Sequence, residues 1–159
     1  MLNHNLTVDN LDHSIKRTFI GGRIRKRMLS PQTMLYKFSG NSLVSPNGTV
    51  SPWWSAVEPI ESGDTGLEGL LEYAARLNVA PNDYARARSA VTKQWNSLAG
   101  LLIVRLTVPV FAFVGQCSAQ PVDNEVSAPR KVLYIGGAWQ LYIPNLNRDH
   151  VLQVALAAV

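Results

Sequence analysis

The chain has 159 residues, a net charge of +4 at pH 7, and 47% hydrophobic against 16% charged residues. That length suits one domain with a real core, and the composition excludes a disordered chain. A single cysteine, Cys117, rules out an internal disulfide, and His4, His13 and His150 are too scattered to suggest a zinc site.

In chain order, residues 1–30 are polar and then basic, with Lys16, Arg17, Arg23, Arg25, Lys26 and Arg27 in one short span. They read as a basic N-terminal arm ahead of a single domain over 31–159. Such a cluster either attracts phosphates or is simply solvated. The first residues lack a basic region followed by an apolar one, so no signal peptide is expected. "TMLYKFSG", residues 33–40, alternates as a strand does and carries Lys37 in its middle. Asn47-Gly48 signals a hairpin turn, and Pro52, Trp53 and Trp54 open a short strand or extended loop.

"ESGDTGLEGLLEYAARL" predicts a helix, with Thr65 and Glu68 at capping-box spacing and Leu67, Leu70, Leu71 and Ala74 on one stripe. Pro81 ends it. A second helix follows over 82–98, with Tyr84, Val91, Trp95 and Leu98 as its apolar positions. Residues 98–115 approach the length of a membrane span, but Arg105 and Pro109 interrupt them, and Val, Ile, Thr and Phe favour a buried strand pair. "VLYIGGAWQLYIP", residues 132–144, reads as strand, glycine pair, strand, and the apolar tail as a last helix or packed strand. Helices segregated from strands indicate an α+β fold. No dinucleotide-binding glycine motif, P-loop or nucleophile elbow is present.

Several residues carry chemistry. Lys37 suits either an edge that discourages aggregation or a cleft that holds a phosphate or carboxylate. Adjacent tryptophans in a strand face opposite ways, so one of Trp53 and Trp54 serves the core and the other can stack on an aromatic ligand. Ser55 offers a hydroxyl. Gly136 and Gly137 serve a turn or the close approach of a ligand, and Gln140 brings an uncharged donor and acceptor. Glu58, Glu61 and Asp64 form no pair whose spacing demands acid–base work, and Cys117 reads as small, buried and inert.

"LYKFSGNS", "PWWS", Trp95-Asn96, "LTVPVFAFVGQCSAQP" and "YIGGAWQLYIP", in that order, resemble the C-terminal domains of bacterial polymorphic (Rhs-type) toxins with an ADP-ribosyltransferase-like fold. The tuberculosis necrotizing toxin type of NAD glycohydrolase is a more distant likeness. The matched parts run from about residue 33 to 144. The resemblance implies two small antiparallel sheets forming an NAD cleft, with a helical pair inserted between early and late strands. It implies an enzyme that cleaves NAD, its substrate, at the nicotinamide–ribose bond and transfers ADP-ribose to a protein or nucleic acid. Hydrolysis by water is the alternative, and a non-catalytic module with a basic arm is the contrasting class. Lys37, with Tyr36 and Gly40 beside it, falls where an arginine binds the NAD phosphate or ribose. Trp54 and Ser55 line the nicotinamide pocket, and Gly136 and Gly137 lead into the closing strand. Gln140 takes the place of the usual glutamate, and Glu125 is a substitute carboxylate in the preceding loop. No metal is implied. A cognate immunity protein is the implied partner, and the domain is expected to be delivered to a target-cell cytoplasm, with no role in a membrane.

Overall fold

A computed structural model describes residues 1–21, 23–39, 43–44, 48–89, 100–121, 133–134 and 136–158. A 3-10 turn (Val8–Asn10) and a short helix α1 (His13–Lys16) precede strands β1 (Arg25–Leu29), β2 (Met34–Ser39) and β3 (Trp53–Ala56). Helices α2 (Gly66–Arg76) and α3 (Pro81–Ser89) follow, then β4 (Gly100–Leu106), β5 (Val110–Gln116), β6 (Gln120–Pro121), β7 (Leu133–Tyr134), β8 (Trp139–Tyr142) and β9 (Val151–Ala158). The fold is therefore α+β, with a helix pair between early and late strands. The stretch over 98–115 supplies β4 and β5, and no helix among the described residues is long and apolar enough to cross a membrane.

Two helix signals act differently from their sequence reading. Thr65 is itself helical in backbone, and its hydroxyl makes no capping bond. Asp64 takes the part instead, its Oδ1 accepting from the Gly66 amide at 3.1 Å. Helix α2 ends in a Schellman motif: Asn78 has φ of 54°, its amide donates to Ala75 and that of Val79 to Ala74. Pro81 is the first residue of α3, where its missing N–H costs nothing. Of the expected apolar positions of this helix, Val91, Trp95 and Leu98 lie outside the described residues.

Seven strands form one sheet in the order β1-β5-β8-β3-β2-β4-β9, antiparallel throughout, and β6 and β7 form a separate ribbon. Two separate sheets were expected; β3 joins them. Its Trp53 and Trp54 pair with Tyr142 and Leu141 of β8, and its Ser55 and Ala56 with Tyr36 and Leu35 of β2. Four residues thus hold two half-sheets, which share one core. Leu29, Val110, Ala112 and Val114 of one half and Leu35, Leu102, Val104 and Leu106 of the other cluster with Trp54 and Ala56 between them. Tyr36 and Phe38 point the other way and pack on Leu67, Leu70 and Ala85 of the helices.

Residues 1–30, read as an arm, lie on this sheet. β1 pairs with β5 over its whole length, Leu11, Phe19 and Leu29 are buried, and the Asn3 side chain donates to the carbonyls of Phe111 and Pro144. The strand is masked in the sequence because three consecutive cations, Arg25, Lys26 and Arg27, precede its only apolar pair, Met28 and Leu29, on a sheet edge. The tail is a strand, β9, paired along β4 with one irregularity at Ile103/Val104. The glycine pair does not close a hairpin: β7 pairs with β6, and β8 with β5 and β3.

Candidate functional site

Residues paired across strands share a face, and neighbours along a strand alternate. Tyr36, Ser55, Trp53, Tyr142, Gly115 and Gln140 therefore share the face that carries the helices, whereas Lys37 and Trp54 lie on the opposite one. β3 leaves β8 one residue short of Gln140, so Gln140 keeps a strand partner only at Gly115, on the β5 side. The position beyond that last pair is a notch between β8 and β3, with Ser55 and its β2 partner Tyr36 on the far side. Helix α3 touches the sheet on both sides of it: Ala85 packs with Tyr36 and Phe38 of β2, while the carbonyls of Ala87 and Arg88 accept from the amides of Gly136 and Ala138 ahead of β8, both at 3.0 Å.

Gln140 is oriented from behind. The Cys117 thiol donates to its Oε1 at 2.7 Å. Burial pushes that thiol up to about 12, against a small opposing pull from Arg88, so the proton stays in place. With its oxygen engaged, the carboxamide has its Nε2 donors left for a ligand, and they meet no acceptor among the described residues. Gly115, opposite, is required because a Cβ there would come within 2.5 Å of the Phe19 ring.

The hydroxyl wall is kept neutral. Tyr36 is raised well above the usual phenol range by burial and then by the Asp64 carboxylate, with Ser55 acting weakly the other way. Asp64 is itself raised, chiefly by burial, although its oxygens accept from the amides of Gly66 and Ile60.

The two tryptophans divide as expected for neighbours in a strand. Trp54 is 1% exposed, and its indole donates to the Ser51 carbonyl at 2.7 Å, which makes it the core member. Trp53 lies on the face of Gln140, with its ring centroid 4.7 Å from Tyr142 and 5.7 Å from Phe19. Lys37 sits 5.5 Å over the Trp54 ring and is pulled down to about 8 by burial.

Gly136 and Gly137 both have positive φ, 69° and 88°. A Cβ on Gly136 would lie 2.5 Å from the Cys117 carbonyl oxygen, and one on Gly137 would lie 3.3 Å from both terminal nitrogens of Arg88. The pair thus lets β8 pass between β5 and the end of α3. Gly40 and Glu125 lie outside the described residues. The structure brings together Tyr36, Ser55, Gln140 and the glycine pair, and leaves Lys37 and Trp54 facing away. Sequence reading missed Arg88, Asp64 and the orienting part of Cys117. Arg88 is an ordinary-looking cation in the last turn of a helix, and only the fold carries it to a glycine 49 positions away.

The notch and its flanking helices define an α+β domain in which one short strand joins two antiparallel half-sheets. Two solved structures share this fold. Tne2, solved in complex with Tni2, superposes with a TM-score of 0.52 at 12% identity over 89% of this chain and 98% of that one. Rhs1-CT, solved with its cognate immunity protein RhsI1, gives 0.52 at 10% identity over 86% and 81%. No protein-family model matches the chain, and no curated protein does.

Proposed function

We propose that this chain is an NAD-consuming toxin domain that breaks the nicotinamide–ribose bond at the notch between β8 and β3. The observation that carries the reading is Gln140, held by Cys117 with its amide donors free beside the place where β3 leaves β8. Those donors suit the ribose hydroxyls and would fix the reactive pose. Trp53 offers an aromatic surface on the same face, and Tyr36 and Ser55 offer neutral hydroxyls. Bond cleavage develops positive charge on the ribose, which Asp64, near Tyr36, stabilises more directly than an amide does. The shared fold with Rhs1-CT, a chain solved with an immunity protein, supports delivery as a toxin and an immunity protein as partner.

The acceptor is the finer question. An amide cannot take a proton from an incoming nucleophile, and the Cys117 thiol next to it is not a base either. That pair favours water, which needs little activation against an oxocarbenium-like ribose. Transfer to a macromolecule is the second reading, with Glu125 as a substitute base. Incubation with NAD labelled in its adenine half, with and without lysate, separates them. Free labelled ADP-ribose and nicotinamide are expected, and label fixed on protein or nucleic acid would establish transfer. Intact NAD and no measurable NAD binding would overturn the reading.

The basic module fares less well on geometry. Arg25 and Arg27 both pair with Glu61, and Lys26 donates to the His4 carbonyl and lies 4.4 Å over the Phe111 ring. Lys16 also donates to the Asp9 carbonyl at 3.5 Å, so four of the six cations of the cluster are engaged within the domain.

A further inference from the structure

We propose that Arg88 is the binding residue for the pyrophosphate of the dinucleotide, the part that the family resemblance implies for Lys37; this rests on the NAD reading above. The guanidinium lies beside Gly137, three residues before Gln140. Its terminal nitrogens are placed so that any side chain at position 137 would press on them. It also acts electrostatically on Cys117, the residue that holds Gln140. Arg88 is only partly exposed, and it makes no ion pair or hydrogen bond through its side chain among the described residues.

A guanidinium partly withdrawn from water that meets no anion among the described residues loses solvation without that return, so the arrangement favours a negatively charged ligand. Its planar fork suits phosphate oxygens. The backbone around it does not compete: the amides of Gly136, Gly137 and Ala138 are already given to Ala87, Cys117 and Arg88. Position completes the case. Arg88 stands at the entrance to β8 and Gln140 further along it on the notch side, so one ligand can place a phosphate at the first and a ribose at the second. Lys37 cannot do this from the opposite face of β2, where it lies over Trp54.

The test uses the whole chain, its Arg88→Gln and Arg88→Lys variants, and three probes: NAD, nicotinamide riboside and inorganic pyrophosphate. Arg88→Gln is expected to raise KM for NAD by about 10–100-fold, with kcat changed far less, and to leave cleavage of nicotinamide riboside within about twofold. Arg88→Lys is expected to fall between. Pyrophosphate is expected to inhibit the parent protein and not Arg88→Gln. Equal losses on NAD and nicotinamide riboside, or an unchanged KM for NAD, would overturn the assignment while leaving NAD cleavage standing. Arg88-dependent binding of pyrophosphate by a chain that neither binds nor cleaves NAD would overturn the NAD reading and keep Arg88 only as a phosphate-binding residue for another ligand. Should Arg88→Gln fail to fold by circular dichroism, Arg88→Lys and pyrophosphate inhibition of the parent protein decide.

Discussion

Gln140 is a neutral group whose direction is set by a neutral donor. Because Cys117 keeps its proton to about pH 12, the contact should hold across the physiological range. Gln140→Ala is expected to lower kcat/KM for NAD about 100-fold with little change in melting temperature, read by nicotinamide release and thermal unfolding. Cys117 should also resist alkylation at pH 8 in the folded protein and react promptly in denaturant; rapid native labelling would contradict its burial. Lys37 has the opposite character. Its ammonium is buried over Trp54 and titrates near 8, against 10.5 for an exposed lysine. Between those values the unfolded chain binds the extra proton, so this group makes the fold more stable as pH rises from about 8 to 10.5. Below 8 the full cost of the buried charge is present. Lys37→Met should therefore stabilise the protein at pH 7 by about 1–2 kcal/mol and remove that alkaline gain, as measured by urea midpoints across pH.

At the scale of elements, the segment that leads into β8 is under the tightest steric control. Gly136 combines a positive φ with a would-be Cβ contact to backbone, so Gly136→Ala should cost about 2–4 kcal/mol. Gly48 also has a positive φ, 85°, but a Cβ there meets nothing within 4 Å, and Gly48→Ala should cost only about 1 kcal/mol. Comparing the two by denaturant unfolding separates backbone strain from crowding. The β3 strand has a different economy of contacts. Two residues serve each half-sheet, and the strand's ends are held by Trp54 in the core and by the Val57 amide on the Met34 carbonyl. The notch opens because β3 stops pairing with β8 after Trp54 and goes on with β2 at Ser55 and Ala56, which leaves Gln140 without a partner on that side.

For the whole molecule, β1 closes one edge of the sheet, and the N-terminal residues are part of the core. Burial of Phe19 and Leu29 is worth about 1.5–3 kcal/mol each, against a total stability of about 5–15 kcal/mol. Deletion of residues 1–30 should abolish cooperative unfolding by circular dichroism; a truncated chain that melts cooperatively would make the span a dispensable arm after all. The ion pairs of Arg25 and Arg27 join largely exposed guanidiniums to a Glu61 side chain that is only 9% exposed, so Glu61→Gln should cost about 1–3 kcal/mol.

What the chain determines by itself is local. Alternation along 33–39 makes β2, the period of Leu67, Leu70 and Ala74 makes α2, and the β-branched run after Gly100 makes β4 and β5. Those patterns suffice for an α+β class with a helix pair between strands, and Gln140 stands out as an amide in an apolar strand. Tertiary structure alone decided the rest. Register put Lys37 and Gln140 on opposite faces, because a strand's side chains alternate and pairing, which is non-local, settles which partner each one meets. The same pairing turned an apparent glycine hairpin into the crossing point of β8, β5 and α3. It also brought Arg88 to Gly137 and Cys117 to Gln140, contacts between residues far apart in the chain that no local spacing encodes.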